Sequence, residues 1–516
     1  MKKNYLRYTA VFLLGLSIVY SCKKSYLNTT PSGKFLETNY YTNADEAFAG
    51  LVSAYDPLVT ETGGLDNTYT DSRGPLNAAS DDCYAGGGGP TDTPDWQLWN
   101  DYQLTSGEGP QQGYWAIDYL GVSRANTIIS VLNTITVPGL AASDKSRYIA
   151  EGLFLRAHYY FDLERLFKNI PLITQPLAPA DIYNQVQAAP SAVYAQIEAD
   201  LTAAIAGLPA TVVAAEDGRA TQGAAVALLG KVYLYEQKYT QAAAELAKVN
   251  GTPGGVTPVY GYQLQSNFGA IFSPDNKFNS ESIFELNFSP NQAYTWNNWD
   301  TFKGDVYVQM VGPRSYSDAI YAGGWGFNPV TTQLVSAFQH PYYAPDGPAD
   351  PRYGYTIYDM DSLIKVNGQT YTPSYENTGY FVQKFAPLTK YKASQGQVEL
   401  NYPNDYIEIR LADTYLMEAE ALVQGGGDLT RAAALINAVR ARVGLAPVTA
   451  TMANIKAERQ LELATEGHRW YDLVRWGDAA TALAFKGFKA PTNNVLPIPL
   501  TDLANTKLVQ NPGYAK

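Results

Sequence analysis

The residues best suited to chemistry gather near the C-terminus, in the run from Glu458 to Trp476 (ERQLELATEGHRWYDLVRW). Glu466, His468 and Asp472 supply carboxylates and an imidazole, the groups that move protons. A structural role weighs far more. The run has no His-Glu-x-x-His pattern, and one His between Gly467 and Arg469 is not a metal site. Charge-paired networks also fill such positions without doing chemistry. Glu458, Glu462 and Glu466 fall at i, i+4 spacing and would repel one another on one helix face. Their cations must come from elsewhere, with Arg410, Arg440, Arg442, Arg469 and Arg475 as candidates. The run therefore reads as an ionic clamp between helices, a device that sets register more than it adds stability. Residues before Gly467 are strong helix formers. After it, a second short helix turns Trp470, Leu473, Val474 and Trp476 to a core.

Other reactive residues are sparse. His158-x-x-x-Asp162 is half of a metal site, and a hydrogen-bonded helix histidine is the better reading. Asp81-Asp82 could hold a hard cation, though solvated loop charges are commoner. The two cysteines are Cys22 and Cys83. Cys83 as a nucleophile would need a base, and three histidines give it little support, so a buried or idle thiol is expected. No metal, cofactor or catalytic residue is assigned.

The elements that position these groups are mostly helical. Residues 35–60 carry Ala47, Phe48, Leu51, Val52 and Tyr55 at helical spacing. Residues 114–135 and 144–168 are amphipathic helices. Val226, Leu229, Gly230 and Tyr233, followed by Tyr239, Ala242 and Leu246, match the tetratricopeptide pattern, in which paired helices stack on neighbours. Residues 410–424 and 428–442 form a further pair. Two stretches break this order. Residues 61–113 are rich in Gly, Asp, Thr and Pro and read as loop. Residues 251–404 are rich in Gly, Pro, Asn and Tyr, with alternating runs such as Ser282 to Phe288, and should hold loops, short strands and a few helices.

The chain has 516 residues, a net charge of −12 and a pI near 4.9, which argues against nucleic acid or an anionic membrane surface as partner. Tyrosine contributes 40 residues, and charged residues only 17% against a usual level of about 25%. That balance suits a surface of aromatic and neutral polar groups; tyrosines packing helix on helix would produce it too. Lys2, Lys3 and Arg7 precede an apolar run from Ala10 to Val19 that is too short to span a bilayer. Val19-Tyr20-Ser21-Cys22 follows and resembles a bacterial lipobox. Cleavage before Cys22 would leave it to carry several acyl chains, enough for stable anchoring. An ordinary secretory signal is the alternative.

The stretch ERQLELATEGHRWYDLVRWGDA (Glu458 to Ala479) resembles the C-terminal signature of the SusD/RagB family. Supporting segments are Tyr114, Trp115, Ile117, Asn126, Ile128 and Ile129; Glu151, Arg156, His158 and Tyr160; Arg410 to Leu422; Asp350 to Ile357; Gly379 to Phe385; and the closing VLPIPLTDLANTKLVQNPGY. The resemblance implies a mainly α fold: one domain, residues 35–516, of tetratricopeptide-like helical pairs with irregular insertions at about 61–113 and 251–404 that form the ligand face. Residues 1–21 would be the signal and 22–34 the anchor and tether. It further implies a surface lipoprotein of the outer membrane that captures glycan and passes it to a SusC-like TonB-dependent transporter, without catalysis. Flat aromatics would stack on sugar rings, and polar groups would bond the hydroxyls. The expected ligand residues are Trp96, Trp99, Trp296, Trp299 and Trp325, with Arg73, Asp81, Asp82 and Asn100. For any one Trp a core role is at least as good a reading; two or three of the set should line the site. Two alternatives stay open: a surface glycoside hydrolase or lyase, which needs a carboxylate pair no motif nominates, and a peptide-binding member of the same family.

Overall fold

The computed structural model describes residues 40–60, 73–288, 290, 293–298, 301–504 and 506–515. The expected signal, Cys22, the expected tether and Trp299 lie outside these residues. The first helix, α1 (Ala44–Tyr55), starts where Asn43 accepts a hydrogen bond from the Glu46 amide, with Asp45 and Glu46 in the first turn. Both features favour an N-terminus there. A row of helices follows: α2 (Gln111–Thr134), α3 (Ala142–Phe167), α4 (Pro190–Gly207), α5 (Gln222–Tyr235) and α6 (Tyr239–Asn250). Each packs on the next, and α6 then packs on α7 (Leu411–Gln424), which packs on α8 (Leu429–Arg442). Chain order is thus interrupted by the long insertion, but spatial order is not.

The tetratricopeptide spacing is real in three dimensions. A Cβ on Gly230 would lie 2.6 Å from Leu246 Cγ, so α5 and α6 approach as closely as they do because residue 230 has no side chain. Ala242 and Leu246 join Leu234, Met417 and Ala421 in a buried cluster that welds α6 to α7. The sheets are small. Strand β1 (Ser282–Leu286) pairs antiparallel with β4 (Tyr406–Arg410), and β2 (Ile357–Asp359) with β3 (Tyr380–Val382). The C-terminal tail is tied to the end of α3: the Leu496 amide donates to Leu166 O at 2.7 Å, and Asn511 Nδ2 to Phe167 O at 2.9 Å.

Three expectations are corrected. First, the described part of the 61–113 stretch is not simply loop. It contains the helices Gly74–Ala79 and Pro94–Asn100, both largely buried. Pro75 and Pro94 sit in their first turns, where a fixed φ favours the helix. Second, helix α9 (Met452–Glu462) stops before Gly467, so Glu466 is not on it. Thr465 takes a positive φ of 66°, and the polar groups of residues 77–82 bind the freed backbone. Asn77 Nδ2 donates to Thr465 O at 2.8 Å, and Asn77 Oδ1 accepts from the Gly467 amide at 3.0 Å. Third, the clamp has different partners. Arg469 forks Asp81, and Arg475 on α10 (Arg469–Trp476) binds Glu420 and Asp472.

The glutamates are neutralised by Arg410, Arg440 and Arg442, as expected, and by Arg352 and Lys384 from the insertion. Arg410 reaches Glu462 at 2.6 Å, Glu466 at 2.8 Å and Glu281 at 2.9 Å. Arg352 reaches Glu458 at 2.6 Å and Glu462 at 2.9 Å, and Lys384 reaches Glu466 at 2.6 Å. Burial alone would raise the Glu462 carboxyl; Arg442, Arg410 and Arg352 outweigh it and hold it well below the carboxylate range.

Candidate functional site

Trp296 and Trp325 come together on the irregular face. Their rings stack with centroids 6.4 Å apart and planes 21° from parallel. Trp296 stays 46% exposed, and Trp325 is half-buried. Trp296 opens a short turn, Trp296–Asn298, closed by Asn298 Oδ1 accepting from the Thr295 amide at 3.0 Å. The Phe302 amide then donates to Asn298 O at 2.8 Å. Phe302, Val306 and Leu400 form a small buried core beneath the pair, with Tyr294 and Trp325 packed on it. The Trp325 amide donates to Gln309 O at 2.9 Å. Asn401 Nδ2 donates to Tyr294 O and to Gln397 O, pinning the loop that leads to Trp296. The result is a flat aromatic surface on a fixed base, flanked by the amide and hydroxyl groups of Thr295, Asn297 and Asn298. Such a surface can stack on an apolar ring face and bond polar edges.

Trp96, Trp99, Arg73, Asp81, Asp82 and Asn100 are buried and apart from this pair, and Trp299 lies outside the described residues. Trp96 is fully buried, edge-on to Phe327 at 5.3 Å and so close beneath residue 74 that a Cβ there would overlap its ring. Trp99 is fully buried between Tyr114 and Trp470. Arg73 forks Asp305 with two 3.0 Å bonds and lies over the rings of Tyr307, Phe385 and Tyr406. Asp81 holds Arg469 at 2.7 and 2.9 Å. Asp82 accepts from the Thr465 amide; burial and the neighbouring Asp81 push its carboxyl up to about 7. Asn100 accepts from Lys486 Nζ at 2.9 Å. Asp81, Asp82 and Trp99 join the Gly-rich segment to the C-terminal clamp, Arg73 and Trp96 join it to the long insertion, and Asn100 to Lys486. A buried polar group needs such partners.

The reactive groups are also accounted for. His158 Nε2 meets Glu408 at 2.7 Å. Burial would lower the imidazole, but Glu408 and Asp162 hold it above its ordinary value. His468 is buried beside Lys231 and Arg459 and is pushed down to about 4. Cys83 is buried, which raises its thiol well above the usual range.

With that geometry in place, comparison with known proteins adds a context. A family model described as "SusD family" matches residues 280–491, and one described as "Starch-binding associating with outer membrane" matches residues 34–234. A solved structure of a laminarin-binding SusD-like protein is 45% identical, covering 92% of this chain and 100% of that one, with a TM-score of 0.85. Surface glycan-binding protein A from Bacteroides thetaiotaomicron, solved with laminarihexaose, is 26% identical over 91% of this chain and 100% of its own, with a TM-score of 0.80. A SusD-like protein of Bacteroides ovatus is 26% identical over 473 residues, 88% of this chain and 80% of that relative.

Proposed function

Because this chain belongs to the SusD/RagB family, we propose that it captures glycan at the cell surface, with the Trp296–Trp325 pair as the stacking platform. The exposed, supported pair is the observation that carries this reading. A glucan of the laminarin type is the ligand to try first, because relatives at 45% and 26% identity are named for laminarin or were solved with laminarihexaose. The role is capture without cleavage, in keeping with relatives named as binding proteins. Anchoring through Cys22 would hold the chain on the outer membrane, facing outward. Delivery would be to a SusC-like TonB-dependent transporter.

Calorimetric titration of the purified protein with laminarin, paired with an assay for new reducing ends, tests this. The expected result is saturable heat and no new ends. Cleavage would replace capture by hydrolysis, and no binding to laminarin or a wider glycan panel would remove the reading. Co-purification of the transporter with the full-length, membrane-extracted protein tests delivery.

A further inference from the structure

A second surface was not among the expected sites. Two clefts, of 370 and 140 Å3, share Asp217, Gly218, Arg219 and Glu285 and so form one groove. At one end it is floored by α1, where Phe48 is 40% and Val52 48% exposed. At the other end Tyr260 stacks on Tyr262, with centroids 5.6 Å apart and planes 24° from parallel. The Tyr260 hydroxyl donates to Gln222 Oε1 at 3.2 Å, which fixes the outer ring.

Consecutive residues tie the groove to the base of the platform. Phe302 packs beneath Trp325, and Lys303 stands on the groove's rim. Its cations are already neutralised: Lys303 meets Asp56 at 2.7 Å, and Arg219 meets Glu151 and Glu216 at 2.5 Å each. A groove whose cations are paired, with Phe48 under the Arg219 guanidinium at one end, the tyrosine pair at the other and the Asp217 carboxylate at its centre, suits a neutral chain of apolar faces and hydroxyl edges. It offers nothing extra to an acidic one.

We infer that this groove is a second glycan subsite, which takes the continuation of the neutral polysaccharide chain held on Trp296 and Trp325. The inference rests on the proposed platform and extends it: affinity grows with chain length because a long chain engages both surfaces. One chain engaging two linked sites gains without any new contact type.

Laminaritriose and laminarin, titrated against the purified full chain, test it. Phe48→Ala and Tyr260→Ala should each weaken laminarin about tenfold and leave laminaritriose unchanged. Tyr260→Phe should retain affinity, since the ring is kept. Trp296→Ala should weaken both probes. Thermal unfolding checks that each variant is folded; Phe48 is exposed, so its variant keeps the test open if Tyr260→Ala does not fold. Laminarin affinity unchanged in the groove variants, or both probes weakened equally, would overturn the inference. A null Trp296→Ala with length-selective loss in the groove variants would leave the groove standing and remove the platform. Failure of both probes to bind the unmodified protein would remove both.

Discussion

The Asp82 carboxylate accepts a hydrogen bond from the Thr465 amide at 2.9 Å, across 383 residues of chain. With Asn77 it takes over backbone groups that α9 releases when it stops at Glu462. Residues 77–82 of the Gly-rich segment thereby brace the C-terminal clamp. Asp82 is buried next to Asp81, and both facts raise its carboxyl to about 7. The folded state then holds a proton there that the unfolded chain has lost above about pH 4. Stability from this site falls as pH rises from 4 to 7. Asp82→Asn removes that slope while keeping an acceptor for Thr465. Chemical denaturation should show the variant gaining on the unmodified protein by up to about 4 kcal/mol across that window. Parallel profiles would contradict the assignment.

His468 gives the opposite slope. Its folded value is depressed to about 4 by burial. The unfolded chain takes up a proton near pH 6.5 that the folded chain refuses until pH 4. Stability therefore falls as pH drops through that interval. His468→Gln should flatten the loss, a relative gain of about 3 kcal/mol at pH 4, read by denaturant midpoints at several pH values.

Arg410 bonds Glu281, Glu462 and Glu466 with no exposure to solvent. Arg410→Met strips a shared cation from three buried carboxylates and should cost about 3–5 kcal/mol. Arg410→Lys should recover little, because one ammonium cannot fork between carboxylates as a guanidinium does. Urea unfolding of both variants checks this. Glu462 is held below its ordinary value, so its contribution is present above about pH 4.5 and fades in acid. The acid sensitivity should shrink in Arg410→Met.

Cys83 is fully buried and its thiol is raised. Native protein should resist alkylation at Cys83, with labelling appearing only in denaturant. Peptide mass mapping reads the site directly. Prompt native labelling would contradict the buried placement.

The helical order was legible because spacing alone dictates which faces pack. Val226, Gly230, Ala242 and Leu246 carry that pattern within one short stretch. The glutamate row was legible as charge needing cations, yet two of its cations were not. Arg352 and Lys384 arrive from the long insertion, and no local pattern ties them to Glu458, Glu462 or Glu466. Trp96 and Trp99 misled for a related reason. A Gly- and Asp-rich neighbourhood reads as exposed loop, while burial here is set by Phe327, Tyr114 and Trp470, residues far along the chain. Trp296 and Trp325 were both nominated, but their stacking depends on the shared base of Phe302, Val306 and Leu400, a tertiary fact.

The central claim is that the stacked pair binds sugar. Trp296→Ala removes an exposed ring without opening the core, so folding should survive. Laminarin titrated calorimetrically into this variant should bind weaker by about 2 kcal/mol or more, as loss of a binding hot spot does. Unchanged affinity, with an unchanged unfolding temperature, would contradict the account.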